Sequence, residues 1–163
     1  MPLFVGEFEL TIDNKNRLAI PAALREQCDP DADGRDFYLV LGPDMHLWLY
    51  PHLYYSALLE RRQGTPFPNR RDMKRHLWFR LARVVKPDAQ GRFVIPPKSM
   101  ERATIDKRVT LLGTDDHIEV WPTDEWESYV KAELPSYGEN LLDAGEGIGP
   151  ISPGGDPQCP QDK

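Results

Sequence analysis

DNKNRLAIP, residues 13–21, and DAQGRFVIP, residues 88–96, share the pattern Asp-x-x-x-Arg-x-x-Ile-Pro at a separation of 75 residues. A second pair of blocks, LGPDMHLWLYP from Leu41 and LGTDDHIEVWP from Leu112, repeats at 71 residues through Gly42/Gly113, Asp44/Asp115, His46/His117 and Pro51/Pro122. The first copy is therefore four residues longer between its blocks, around Asp29–Arg35. Self-similarity of this period makes the chain a tandem duplication, and each copy must be read as one structural unit.

Each copy reads as an alternating strand, a turn, a short apolar strand ending in Pro, a helix, a strand pair and a closing helix. Residues 7–12 alternate polar and apolar at period two, the mark of a half-buried strand. Asn14-Lys15-Asn16 supplies turn chemistry, and Asn16 stands where the second copy has Gly91, both residue types that tolerate positive φ. Residues 17–20 and 92–95 are expected to return as second strands, making two equivalent β-hairpins. Pro21 and Pro96-Pro97 end them and open short helices over 22–27 and 98–104. Third and fourth strands are expected over 36–41 and 47–50, and over 109–112 and 118–121. Helices are expected from His52 to Arg62 and from Thr123, the latter with a cap residue and an acidic first turn. A further helix over 69–85 carries Met73, Leu77, Leu81 and Val84 on one face, and with the His52–Arg62 helix it is the candidate for a contact between subunits. Two copies with apolar strand faces bury them best against each other in a single pseudo-twofold barrel.

The composition bounds the function. The 163 residues suffice for one ordinary domain or two very small ones sharing a core, and no apolar run approaches the roughly 20 residues of a membrane span. Cys28 and Cys159 allow neither a disulfide framework nor a cysteine zinc cage, so a reducing, cytoplasmic setting is expected. The net charge of −6 hides a strong asymmetry: residues 1–69 carry 6 Lys/Arg and 10 Asp/Glu, residues 70–108 carry 12 and 4, and residues 109–163 carry 2 and 12. The basic middle is either a solvated face or the footprint of a polyanion. From Pro135 onward, five prolines and six glycines predict a disordered acidic tail over 135–163, with only Leu141-Leu142 able to dock.

Asp13 and Arg17, like Asp88 and Arg92, bracket a three-residue turn, so each carboxylate can orient a guanidinium. As a mere turn-fixing ion pair this is worth about 0–1 kcal/mol when exposed. Its duplication, with Lys15 nearby in the first copy, favours a pair of arginines presented side by side to a nucleic-acid groove. On these two motifs, the strand ends Leu18–Pro21 and Phe93–Pro96, and the blocks from Gly42 to Pro51 and Gly113 to Pro122, the chain resembles the MraZ family of bacterial transcriptional regulators. The resemblance runs from about Met1 to Pro135.

It implies an α+β, mainly β fold: a pseudo-twofold swapped-hairpin (AbrB-like) barrel of two tandem SpoVT/AbrB-like repeats with flanking helices, the repeats spanning 1–68 and 69–134. It further implies a homo-oligomeric ring, nucleoid-associated, that binds double-stranded DNA at tandem repeats upstream of cell-division and cell-wall genes. Carried onto this chain, Arg17 and Arg92 are the DNA contacts, Lys15 a helper, and Asp13 and Asp88 the orienting partners. No cofactor, membrane or small-molecule substrate is implied.

Other constellations carry less. His46 and His117 each follow an Asp by two residues, but no third metal ligand accompanies them, and an imidazole entering a strand commonly satisfies local groups. No Gly-rich phosphate loop, nucleophile elbow or His-Glu-x-x-His occurs, so no enzyme is expected. Trp48, Tyr50, Trp78, Trp121 and Trp126 suit packing better than base stacking. A protein-interaction scaffold built on the same barrel is the alternative from another class; an AbrB-type antitoxin is a lesser variant, against which the tandem copies speak.

Overall fold

The computed structural model describes residues 1–61 and 69–146. In chain order its elements are β1 (Phe4–Thr11), β2 (Arg17–Ala19), α1 (Ala22–Arg25), β3 (Phe37–Leu41), β4 (Leu47–Pro51), α2 (His52–Glu60), α3 (Arg70–Leu81), β5 (Arg83–Val85), β6 (Arg92–Val94), α4 (Pro97–Arg102), β7 (Arg108–Asp115), β8 (His117–Pro122), α5 (Thr123–Glu133) and α6 (Tyr137–Glu146). Two compact units result, Met1–Trp126 and Glu127–Lys163, with α5 beginning in the first and ending in the second. Among the described residues no helix is long and apolar enough to cross a membrane.

In the first unit six strands form an antiparallel sheet in the order β1-β7-β8-β4-β3-β5, and β2 pairs with β6 in a separate two-stranded ribbon. The two expected hairpins are thereby corrected. Each turn closes on itself, Asp13 N–H donating to the Arg17 carbonyl at 3.1 Å and Asp88 N–H to the Arg92 carbonyl at 2.9 Å, but beyond that point the strands part. β1 of the first copy adds to β7 of the second, and β5 of the second adds to β3 of the first. Both copies offer the same edges, so exchanging them satisfies the same backbone groups while merging two small apolar faces into one core.

The register locates the pseudo-twofold axis. Leu18 faces Phe93, its own counterpart at 75 residues, and Trp48 faces Glu119, its counterpart at 71. One core runs along that axis, including Leu18, Ile20, Leu24, Leu39, Leu49, Phe93, Ile95, Leu111, Ile118 and Val120. Full burial of each aliphatic side chain is worth roughly 1.5–3 kcal/mol. Gly113 lets β1 lie against β7: a Cβ there would stand 2.7 Å from the Phe4 carbonyl carbon.

Two further expectations give way. The helix expected over 69–85 ends at Leu81, because Ala82 is extended and residues 83–85 pair with β3. Its inward contact is Trp78, packed with Ala82 against the cluster of Val40, Tyr50 and Tyr55, while Met73, Leu77 and Val84 are exposed. The indole buries more surface than any aliphatic residue on the helix, and its Nε1 donates to the Tyr55 hydroxyl at 2.7 Å, so it takes the inward position. The tail expected to lack structure from Pro135 is ordered in its first half. Leu134–Ser136 forms a 3₁₀ turn and α6 follows, with Glu139 in its first turn and Leu141, Leu142 and Ala144 as good helix formers. The rest of that tail, like Arg62 at the end of the expected His52 helix, lies outside the described residues.

Candidate nucleic-acid interface

The two Asp-x-x-x-Arg turns match bond for bond. Asp13 Oδ1 accepts from the backbone N–H of Lys15 at 2.8 Å and of Arg17 at 2.9 Å, while Oδ2 accepts from Arg17 Nε at 2.7 Å. Asp88 Oδ1 accepts from the N–H of Gln90 and of Arg92, both at 2.9 Å, and its Oδ2 from Arg92 Nε at 2.9 Å. Asn16 at φ 58° and Gly91 at φ 79° complete the turns in the left-handed region, as the pairing of those residues predicts. The backbone N–H donors, with the guanidinium, hold the Asp13 carboxyl down to about 2. The same causes, led by the Arg92 N–H, lower that of Asp88.

Each carboxylate therefore engages only the Nε side of its arginine. Among the described residues the terminal nitrogens of Arg17 and Arg92 make no protein hydrogen bond, and the side chains are 35% and 41% exposed. The ribbon brings the two together. Arg17 lies opposite Val94 and Arg92 opposite Ala19, so both arginines share the outer face while Leu18 and Phe93 fill the inner one. Diagonal neighbours of this kind lie about 7–8 Å apart, with their Cβ atoms somewhat closer. Ile20 N–H donating to the Gly91 carbonyl at 2.9 Å, and Ile95 N–H to that of Asn16 at 2.8 Å, lock each turn to the end of the other copy's strand.

Lys15 is exposed beside the first turn, where the second turn has Gln90. Two basic neighbours are absent from the sequence-based list. Lys107 Nζ donates to Asn14 Oδ1 at 3.4 Å, and Arg25, whose Nε donates to the Ile20 carbonyl at 3.1 Å, packs beside Gly91. Both reach a turn of the opposite copy, so only knowledge of the strand exchange could have singled them out. A cleft of about 640 Å³ adjoins the second turn, lined by Arg25, Cys28, Arg35, Phe37, Asp88 and Ala89 among others. Burial and the charges of Asp33 and Asp29 push the Cys28 thiol up to about 12, which leaves no thiolate nucleophile there.

The histidines lie at the β4–β8 seam, and carboxylates rather than backbone groups hold their rings. His46 stacks on Trp121 with ring centroids 3.7 Å apart, and its Nε2 meets Glu125 Oε1 at 2.9 Å. Its Nδ1 lies 3.0 Å from Asp44 Oδ2 but out of line for a hydrogen bond. His117 Nδ1 meets Asp116 at 2.8 Å and its Nε2 meets Glu119 at 3.2 Å. The indoles are packed likewise, Trp121 Nε1 donating to Glu119 Oε2 and Trp126 Nε1 to Glu7 Oε2.

A protein-family model described as "MraZ protein, putative antitoxin-like" matches residues 3–75 and 78–138. The chain is 35% identical over 144 residues to the transcriptional regulator MraZ of Herpetosiphon aurantiacus, covering 85% of this chain and 96% of that relative. To the transcriptional regulator MraZ of Heliobacterium modesticaldum it is 33% identical over 146 residues, covering 86% and 98%. To that of Pelotomaculum thermopropionicum it is 34% identical over 151 residues, covering 90% and 100%.

Proposed function

The chain belongs to the MraZ family, and from that premise we propose that it is a transcriptional regulator that binds double-stranded DNA through the β2–β6 ribbon. The relatives carry the name of a regulator, not of an enzyme. The observation that carries the DNA reading is the ribbon's outer face. There two arginines, each fixed at Nε by its own carboxylate, keep their terminal nitrogens unengaged. A B-DNA major groove about 12 Å wide admits a two-stranded ribbon, and a guanidinium suits the two acceptors of a guanine edge. Arg17 and Arg92 read bases, Asp13 and Asp88 orient them, and Lys15, with Arg25 and Lys107, faces phosphates.

One ribbon makes few contacts. A ring of copies along tandem sites gains by effective concentration, which fits operators built of repeats, here those upstream of cell-division and cell-wall genes. The segments 1–68 and 69–134 act as the two halves of each ribbon-bearing subunit. The test is a titration of the wild-type protein against a random duplex pool. The expected result is recovery of a repeated sequence whose affinity falls steeply with salt, by counterion release. Retention of no duplex at low salt would leave the scaffold reading in its place.

A further inference from the structure

The four residues by which the first copy exceeds the second lie around Asp29–Arg35 and belong to no strand or helix. They form a tied loop. Asp29 Oδ1 accepts from the N–H groups of Asp31 and Ala32 at 2.9 and 3.3 Å, and Asp29 N–H donates to Asp33 Oδ2 at 3.0 Å. The Asp33 carbonyl accepts from Leu53 N–H at 2.9 Å, and Cys28 Sγ donates to the Gly34 carbonyl at 3.7 Å. This loop contributes Pro30, Gly34 and Arg35 to the lining of the cleft of about 640 Å³, and the second turn contributes Pro87, Asp88 and Ala89. Small-molecule sites occupy roughly 300–1,000 Å³ and join an apolar lining to a few polar groups. Here Phe37 and Cys28 supply apolar surface, and Arg25 and Arg35 supply the charge. Among the described residues Arg25 is engaged only at Nε, by the Ile20 carbonyl at 3.1 Å, and exposed Arg35 has no hydrogen bond or ion pair. Of the two lining carboxylates, Asp88 is already spent on Gln90 and Arg92, which leaves Glu26 to accept from a ligand.

We propose that this cleft binds a small organic phosphate, its head group on Arg25 and Arg35 and its hydroxylated body within the cleft. A phosphate monoester presents three acceptor oxygens and nearly two negative charges, more than a carboxylate offers to two guanidinium forks. Glu26 accepts from a hydroxyl of the body. The cleft also touches the DNA-reading machinery. Arg25 Nε lies 2.7 Å from where a Gly91 Cβ would stand, and Asp88 holds Arg92 at Nε. An occupant takes the terminal nitrogens of Arg25 from the DNA phosphates and sets negative charge beside the second turn. Occupancy therefore weakens DNA binding, and DNA weakens occupancy by the same factor. The site stands apart from the DNA reading, and only this coupling rests on it.

The experiment titrates the full chain calorimetrically with inorganic phosphate, glycerol phosphate and inositol monophosphate, then repeats the series with Arg35→Ala and with Lys74→Ala, an exposed cation on α3 outside the cleft. Both positions are exposed, so the melting temperatures should match that of the wild type. The expected result is affinity that rises from inorganic phosphate to inositol monophosphate, falls about tenfold or more in Arg35→Ala, and is kept in Lys74→Ala. Absence of binding by all three probes at millimolar concentration overturns the site. Inorganic phosphate binding as tightly as inositol monophosphate also overturns it, because the body then makes no contact, and so does an equal loss in Lys74→Ala, which would reflect overall charge. Duplex titrations with and without inositol monophosphate at fixed ionic strength then test the coupling. Wild type should lose DNA affinity severalfold, whereas Arg35→Ala should bind DNA as the ligand-free wild type does and ignore the probe. DNA affinity unmoved by bound probe overturns the coupling. Retention of no duplex at all strikes the DNA reading, while the calorimetry still decides the cleft.

Discussion

Arg17 and Arg92 owe their pose to an aspartate that spends one oxygen on the turn and the other on Nε. Replacing either arginine by Ala removes no buried group, so cooperative unfolding should be unchanged, while loss of a good base contact costs about 1–3 kcal/mol of specific binding. Operator titrations beside thermal melts check this, and a variant that binds as tightly as wild type would not have lost a base contact. Gly91 shows a stricter demand than its partner Asn16. At φ 79° an Ala is strained by roughly 1–2 kcal/mol, and its Cβ would also stand 2.6 Å from the Ile20 carbonyl oxygen and 2.7 Å from Arg25 Nε. Gly91→Ala should therefore lower the melting temperature more than Asn16→Ala.

His117 reports on pH. Burial works against its imidazolium, but Glu119 and Asp116 hydrogen-bond it and leave its pKa raised above 6.5. The proton is bound more tightly in the folded state, so its stabilising contribution is full below about pH 6.5 and is lost as pH rises through the raised value. The stability advantage of wild type over His117→Gln should shrink from pH 6 to pH 9 in paired melts. An advantage that grows with pH would mean the histidine is held neutral.

At the scale of the element, the ribbon and α3 show what local pattern conveys. Asp13, Asn16, Arg17 and Pro21, matched to Asp88, Gly91, Arg92 and Pro96, spell out turn, left-handed residue, strand and strand end, and all four roles appear in the structure. The pairing partner was not legible, because period-two alternation in residues 7–12 is equally served by β2 or by β7. Choosing between them takes the summed burial of two copies. On α3, spacing alone proposes Met73-Leu77-Leu81-Val84, whereas size and a hydrogen-bond partner turn Trp78 inward. Trp78→Ala should cost roughly 2–4 kcal/mol, less than a fully buried indole would. Leu77→Ala should stay within about 0.5 kcal/mol. Denaturant unfolding separates these outcomes, and the reverse order would restore the face that spacing suggests.

Over the whole molecule, charge is sorted rather than balanced: a basic centre is followed by a C-terminal stretch whose residues 135–163 hold Glu139, Asp143, Glu146, Asp156 and Asp162 against Lys163 alone. On the proposal that the ribbon binds DNA, this segment opposes binding. Its negative charge repels phosphates and competes with them for basic surface, an effect screened as salt rises. A chain truncated before Pro135 should therefore bind a duplex with a single repeat more tightly than full-length protein at low salt, with the gain fading as salt is added. Titrating both proteins on that duplex at two salt concentrations gives the sign of the effect. Equal affinities at low salt would make the acidic segment a bystander, and weaker binding after truncation would mean that it contributes to assembly.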